Sequence, residues 1–170
     1  VASDFEEHAD PVLTLIPFLK DMERYLPFKY SEIVADAGYE SEENYVFIEQ
    51  NQQTAYIKPQ NYEISKTRKY QNDISRRENM DYREETDSYI CRNDRELTAR
   101  YDKKVRNRNG YTSLVTIYEC ESCQGCPYKE QCIHGNNCKT PMEERTKRLN
   151  VSKVMNQKRR EDLVRITSEY

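Results

Sequence analysis

The chain has 170 residues, 36% hydrophobic and 34% charged, with a net charge of −3 and a mean hydropathy of −1.07. That leaves room for one domain with an insertion and commits long stretches to the surface. No apolar run approaches the roughly 18 residues of a membrane span, and Val1-Ala2-Ser3-Asp4-Phe5-Glu6-Glu7 lacks the basic and apolar regions of a signal peptide, so a soluble, cytoplasmic protein with no membrane partner is expected.

Val12, Leu15, Ile16, Leu19, Met22 and Leu26 recur at helical spacing before Pro27, which predicts an amphipathic helix. Two starts are open: Asp10 as cap with Pro11 in the first turn, or Thr14 as cap with Pro17 in the first turn. Residues 32–35 predict a short buried strand that ends in Asp36. A carboxylate at the C-terminal tip of a strand lies where open α/β sheets put their chemistry, and its hard oxygens suit a cation. The competing reading is an aspartate that simply forms the turn. Ser41 followed by Glu42 and Glu43 predicts a helix N-terminus, with the acids at the positive end of the dipole and the helix running to about Asn51. Residues 55–58, closed by Pro59, predict a second strand, so strand–helix–strand forms one parallel crossover.

Charge is distributed unevenly along the chain. Residues 1–59 hold twelve acidic against four basic residues, whereas residues 60–111 hold thirteen basic against ten acidic. Residues 60–108 read as an insertion with little core of its own, carrying a β-like Ser88-Tyr89-Ile90-Cys91. Residues 97–101 and 112–118 predict two antiparallel strands joined through an Asn109-Gly110 turn. Between them Lys103, Lys104, Arg106 and Arg108 form a basic loop able to touch DNA phosphates, against the plainer reading of a solvated charged face. Residues 148–151 predict an edge strand, and Ser152 caps a final helix with Met155, Arg159, Leu163 and Ile166 on one side. The boundaries expected are 1–59 for an α/β portion, 60–147 for the insertion and 148–170 for the return.

Five of the six cysteines follow the pattern Cys120-x2-Cys123-x2-Cys126-x5-Cys132-x5-Cys138, with His134 inside. Thiolates at such gaps can wrap one tetrahedral Zn²⁺, and a metal supplies folding free energy where apolar residues are scarce. The expected ligands are Cys120, Cys123, Cys126 and Cys132, closing a structural zinc site. Cys138 or His134 can replace Cys120, and spacing does not decide between them. Unpaired thiols and disulfides are the other readings. Cys91 stands apart and reads as a half-buried strand residue.

Together these residues carry a resemblance. Val34-Ala35-Asp36-Ala37-Gly38-Tyr39 with Ser41-Glu42-Glu43-Asn44-Tyr45, the preceding Leu15-Ile16-Pro17-Phe18-Leu19, Tyr118-Glu119-Cys120 with Cys123-Gln124-Gly125-Cys126-Pro127 and Cys132, and the closing Ile166-Thr167-Ser168-Glu169 resemble the C-terminal half of DDE-type transposases of bacterial insertion sequences, in the branch with a cysteine-rich insertion. The resemblance covers nearly the whole chain in order. It implies an α/β, partial ribonuclease-H-like fold with a cysteine-rich, zinc-binding, β-containing insertion. It also implies DNA at transposon ends as partner, possible self-association, and Mg²⁺-dependent phosphodiester cleavage and strand transfer.

Asp36 matches the second of the family's two aspartates. The first aspartate is expected upstream of Val1 and the glutamate beyond Tyr170, and Glu161 and Glu169 do not match that glutamate's motif. The isolated chain is therefore expected to be inactive. The alternative function is a zinc-stabilised DNA-binding or protein-interaction module without catalysis.

Overall fold

A computed structural model describes residues 11–135 and 138–168; the Asp10 cap and Glu169 lie outside the described residues. In chain order the helices are α1 (Pro11–Tyr25), α2 (Glu42–Gln50), α3 (Arg68–Gln71), α4 (Lys129–Cys132) and α5 (Lys153–Ser168). The strands are β1 (Glu32–Ala35), β2 (Thr54–Ile57), β3 (Asp81–Arg83), β4 (Ser88–Ile90), β5 (Glu96–Arg106), β6 (Thr112–Cys120) and β7 (Arg148–Val151). The chain divides into two compact units, one built from residues 1–62, 106–113 and 154–170, the other from residues 63–105 and 114–153.

In the first unit β1 and β2 pair in parallel, with Ile33 opposite Ala55 and Ala35 opposite Ile57. The connecting α2 makes this the expected strand–helix–strand unit. Leu15 and Leu19 of α1, Tyr45 and Ile48 of α2, and Ile33, Ala55 and Ile57 of the strands share one buried core. Strand alternation puts Ile33 in that core and turns Val34 outward, 82% exposed. Helix α1 begins at Pro11 and runs through Thr14, so Thr14 is not its cap, and Pro17 lies inside the helix. Without an N–H, Pro17 leaves one turn of the ladder unmade, which burial of Leu15 and Leu19 must offset.

The second unit holds one sheet in the order β3-β4-β5-β6-β7. Its pairings set Tyr82 opposite Tyr89, Tyr89 opposite Leu97 and Tyr118 opposite Leu149. Met80, Tyr89, Leu97, Tyr118, Leu149 and Val151 pack with Cys120, Cys123, Cys132 and Ile133 into a second core. The expectation of little core between residues 60 and 108 is therefore corrected. The apolar residues there are few, but strand register gathers them with residues far along the chain, as the Tyr89, Tyr118 and Leu149 series shows. Strand β5 is also longer than predicted, so Lys103, Lys104 and Arg106 lie on a strand and only Arg108 in the turn.

Candidate functional site

Asp36 follows β1 directly and caps a single 3-10 turn, Ala37–Tyr39, with its Oδ1 accepting the Ala37 N–H at 2.6 Å. The residue is exposed. The turn closes as the Tyr39 N–H donates to the Asp36 carbonyl at 3.0 Å and the Glu40 N–H donates to the Ala37 carbonyl at 3.1 Å. Ser41 then starts α2, its Oγ accepting the Asn44 N–H at 3.1 Å. Both caps satisfy backbone donors that a turn and a helix start leave free.

Two residues to which the sequence reading gave no role, Asn44 and Glu40, fix this loop, and a third, Asp162, ties α5 to β2 and α2 behind it. Asn44, fully buried, donates from Nδ2 to the Tyr39 carbonyl at 2.8 Å. Glu40 is buried and receives a two-point bond from Arg159 of α5, 2.6 Å from Nε and 2.8 Å from Nη2, while its Oε2 accepts the Gln60 N–H at 2.9 Å. Asp162, also fully buried, accepts the Ile57 N–H at 2.8 Å and the Tyr45 hydroxyl at 3.1 Å. Burial raises the Asp162 carboxyl above its ordinary range, opposed by the Ile57 and Tyr45 donors and by Arg165. Burial also pushes the Tyr45 phenol well up, with Asp162 and Glu40 adding to it. The signal for Asp162 was its place at helical spacing from Arg159 on the face predicted to be apolar. An acid there must be satisfied by something.

The basic residues stand on a ribbon. From Ala99 to Arg106 every residue of β5 is exposed, including Tyr101 and Val105. Alternation puts Lys104 and Arg106 on one face with Arg100, and Lys103 on the other with Tyr101 and Val105, so the four predicted DNA-binding residues do not share a face. Arg108 lies in the turn, where the Asn107 N–H donates to the Tyr111 carbonyl at 2.9 Å and Gly110 takes a positive φ of 87° that glycine alone adopts freely. The turn is held by α2's first residues: Asn107 Nδ2 donates to Glu43 at 2.6 Å and the Tyr111 hydroxyl donates to Glu42 at 3.0 Å. Burial pushes the Tyr111 phenol up to about 12, helped by its bond to Glu42.

All six cysteines are free thiols. Cys120, Cys123 and Cys132 are buried and Cys126 is half-buried, whereas Cys138 and His134 are exposed. Hydrogen bonds with Thr140 hold the Cys138 thiol below its ordinary range. Of the expected zinc ligands, then, Cys120, Cys123 and Cys132 enter one core, and Cys126 is half-buried. Among the described residues, no group of three or more His, Cys, Asp or Glu side chains is set to hold a metal ion. Asp36 alone does not fit a two-ion magnesium site, and the described thiols do not converge on one point.

No helix among the described residues is long and apolar enough to cross a membrane. Residues 90–170 match the family described as "Transposase DDE domain". The match takes in the ribbon, every cysteine and α5, and leaves Asp36 outside it. No curated protein and no solved structure matches the chain. Over this C-terminal span the chain is similar to the transposase DDE-domain family, and the match supports a transposase fragment, with DNA as partner and a transposition-related catalytic domain.

Proposed function

We propose that the chain is part of a ribonuclease-H-like transposase catalytic domain serving DNA phosphodiester cleavage and strand transfer, with Asp36 as one of its metal-ligating carboxylates. The observation that carries this reading is the construction of the Asp36 loop: an exposed carboxylate at the tip of a parallel strand, backed by the buried Glu40–Arg159 pair and the Asn44 bond. A reactive carboxylate must be held by residues whose own positions are locked, and this loop meets that requirement. The family match over residues 90–170 supports the chemical class.

The described residues do not complete a Mg²⁺ site. In a longer chain supplying the remaining carboxylates, Asp36→Ala and Asp36→Asn should both abolish strand cleavage and leave DNA binding intact. Cleavage that survives either change overturns the assignment.

A second reading is favoured by the ribbon and the thiol core lying inside the family match while Asp36 lies outside it. In that reading the chain is a zinc-stabilised DNA-binding or interaction module, self-association included, and Asp36 only forms its turn. For either reading we propose one structural Zn²⁺ in the thiol-lined core, with Cys120, Cys123, Cys126 and Cys132 as the set that spacing suggests.

A further inference from the structure

Exposed aromatic rings are clustered along the chain. Among the described residues the exposed aromatics are Phe18, Tyr25, Phe28, Tyr30, Tyr82 and Tyr101, and the first four lie between residues 18 and 30. Tyr25 is 72% exposed, Phe28 54% and Tyr30 48%. A single exposed ring needs no explanation, whereas several along one short segment mark an interaction surface. The same segment holds Lys20, Arg24 and Lys29, three of the four basic residues among residues 1–59. The Arg24 guanidinium lies 5.5 Å from the Tyr25 ring centroid, and Lys20 Nζ lies 5.7 Å from that of Phe47. Glu23 is engaged by Lys29 at 3.0 Å and by Asn51 at 3.4 Å.

The segment is pinned in place. The Leu26 N–H donates to the Met22 carbonyl at 2.9 Å, Gln53 Nε2 donates to the Tyr30 carbonyl at 2.8 Å, and the Thr54 N–H donates to the Ser31 carbonyl at 2.8 Å. The Phe28 and Tyr30 rings meet edge to face, centroids 5.0 Å apart at 81°, so each orders the other without burying it. Rings ordered in advance lose little freedom when a flat ligand stacks on them. The segment leads into the start of β1 and Asp36 follows its end, so the rings and the carboxylate lie at opposite ends of a four-residue strand, about 13 Å long.

We propose that this segment binds single-stranded DNA, with unpaired bases stacking on Phe28 and Tyr30 and with Lys20 and Arg24 neutralising phosphates. The inference rests on the reading of DNA as partner and adds a contact of a different kind from the ribbon's. A duplex hides the faces of its bases in its own stack, whereas an unpaired strand offers them to aromatic rings, and cations beside those rings follow the backbone. Every base has such a face, so the binding is indifferent to sequence. A second copy of the chain fits the patch less well, because a two-fold contact would set Lys20, Arg24 and Lys29 against their own counterparts.

The test uses the whole 170-residue chain in anisotropy titrations of fluorescein-labelled oligo(dT), with a random-sequence duplex for comparison. Phe28→Ala and Tyr30→Ala should each weaken oligo(dT) binding by at least about fivefold and leave duplex binding unchanged. Phe28→Tyr and Tyr30→Phe should keep the wild-type affinity, since stacking needs the ring and not the hydroxyl. Arg24→Gln should lower the oligo(dT) salt slope by about 0.7, the share of one phosphate on a single strand, and an unchanged slope removes Arg24 from the contact. Duplex binding without oligo(dT) binding, or oligo(dT) affinity unmoved by both alanine variants, overturns the platform and leaves the DNA reading standing. A chain that binds neither probe overturns both. A wild-type dimer in sedimentation that the alanine variants turn into monomers, with oligo(dT) affinity unaltered, assigns the surface to a second copy. Both rings are exposed, so the variants should fold, and far-ultraviolet circular dichroism checks that they do.

Discussion

At the scale of single residues, Asp36 has two roles that substitution can separate. Asparagine keeps an oxygen for the Ala37 N–H, while alanine leaves that donor unmade, so Asp36→Ala should cost about 1 kcal/mol of stability and Asp36→Asn only a few tenths of that scale. Urea unfolding checks the difference, and the shared loss of cleavage then reports chemistry instead of folding. Asp87 offers a pH test in the other unit. At a φ of 47° it accepts Lys153 Nζ at 2.7 Å, the Tyr118 hydroxyl at 2.6 Å and the Tyr82 hydroxyl at 2.7 Å. Lys153 first, then the Tyr118 hydroxyl, hold its carboxyl down from the ordinary 3.8 to about 2, with Tyr82 adding to them against burial. A carboxylate whose folded pKa is depressed contributes stability above the unfolded value and loses it as pH falls through the folded one. Stability should therefore decline between pH 3.8 and about 2, and Asp87→Asn should flatten that part of the curve. Identical acid slopes in the two chains would show that these bonds do not govern it.

At the scale of elements, the β5–β6 ribbon is the part most changed by the structure. A basic loop would offer phosphates one cluster of charges, whereas a ribbon exposed on both faces offers Lys104 and Arg106 on one side and Lys103 on the other. A two-stranded ribbon is also of a width that the DNA major groove admits. Replacing Lys103, Lys104, Arg106 and Arg108 singly by alanine should weaken DNA binding and lower the salt slope by about 0.9 for each phosphate that is no longer neutralised. Fluorescence anisotropy across a salt series measures this, and slopes equal to wild type would clear the ribbon of a phosphate role. Its length escaped the sequence reading because Asp102, Lys103 and Lys104 break the apolar alternation by which strands are recognised. What holds them in a strand is pairing, including the Thr116 hydroxyl bonded to Asp102 at 2.7 Å. The start of α1 was open because two prolines each fit a first turn, and the helix begins at Pro11 with Pro17 inside it.

At the scale of the whole molecule, two cores of different composition make different demands. The first is aliphatic and aromatic, with the buried carboxylates of Glu40 and Asp162 paired to the half-buried Arg159 and Arg165, and the second draws several of its members from thiols. On the zinc proposal, adding a chelator should raise amide exchange across residues 63–105 and 114–153 and leave the amides of β1, β2 and α2 protected; uniform deprotection, or no change, would contradict it. By itself the sequence determined the local order: α1, the β1–α2–β2 crossover, the Ser41 cap, the Asn109-Gly110 turn, β7 and the final helix, because periodicity, caps and glycine positions are written in neighbouring residues. It also carried the family resemblance, which the match over residues 90–170 supports. Only the tertiary structure decided that Glu40 meets Arg159, that Asp162 serves Ile57 and Tyr45, and that Cys91 lies with Cys123 and Cys132 from much later in the chain. Those partners are set by strand register and by the burial of polar groups that must then be satisfied, and neither leaves a period in the chain.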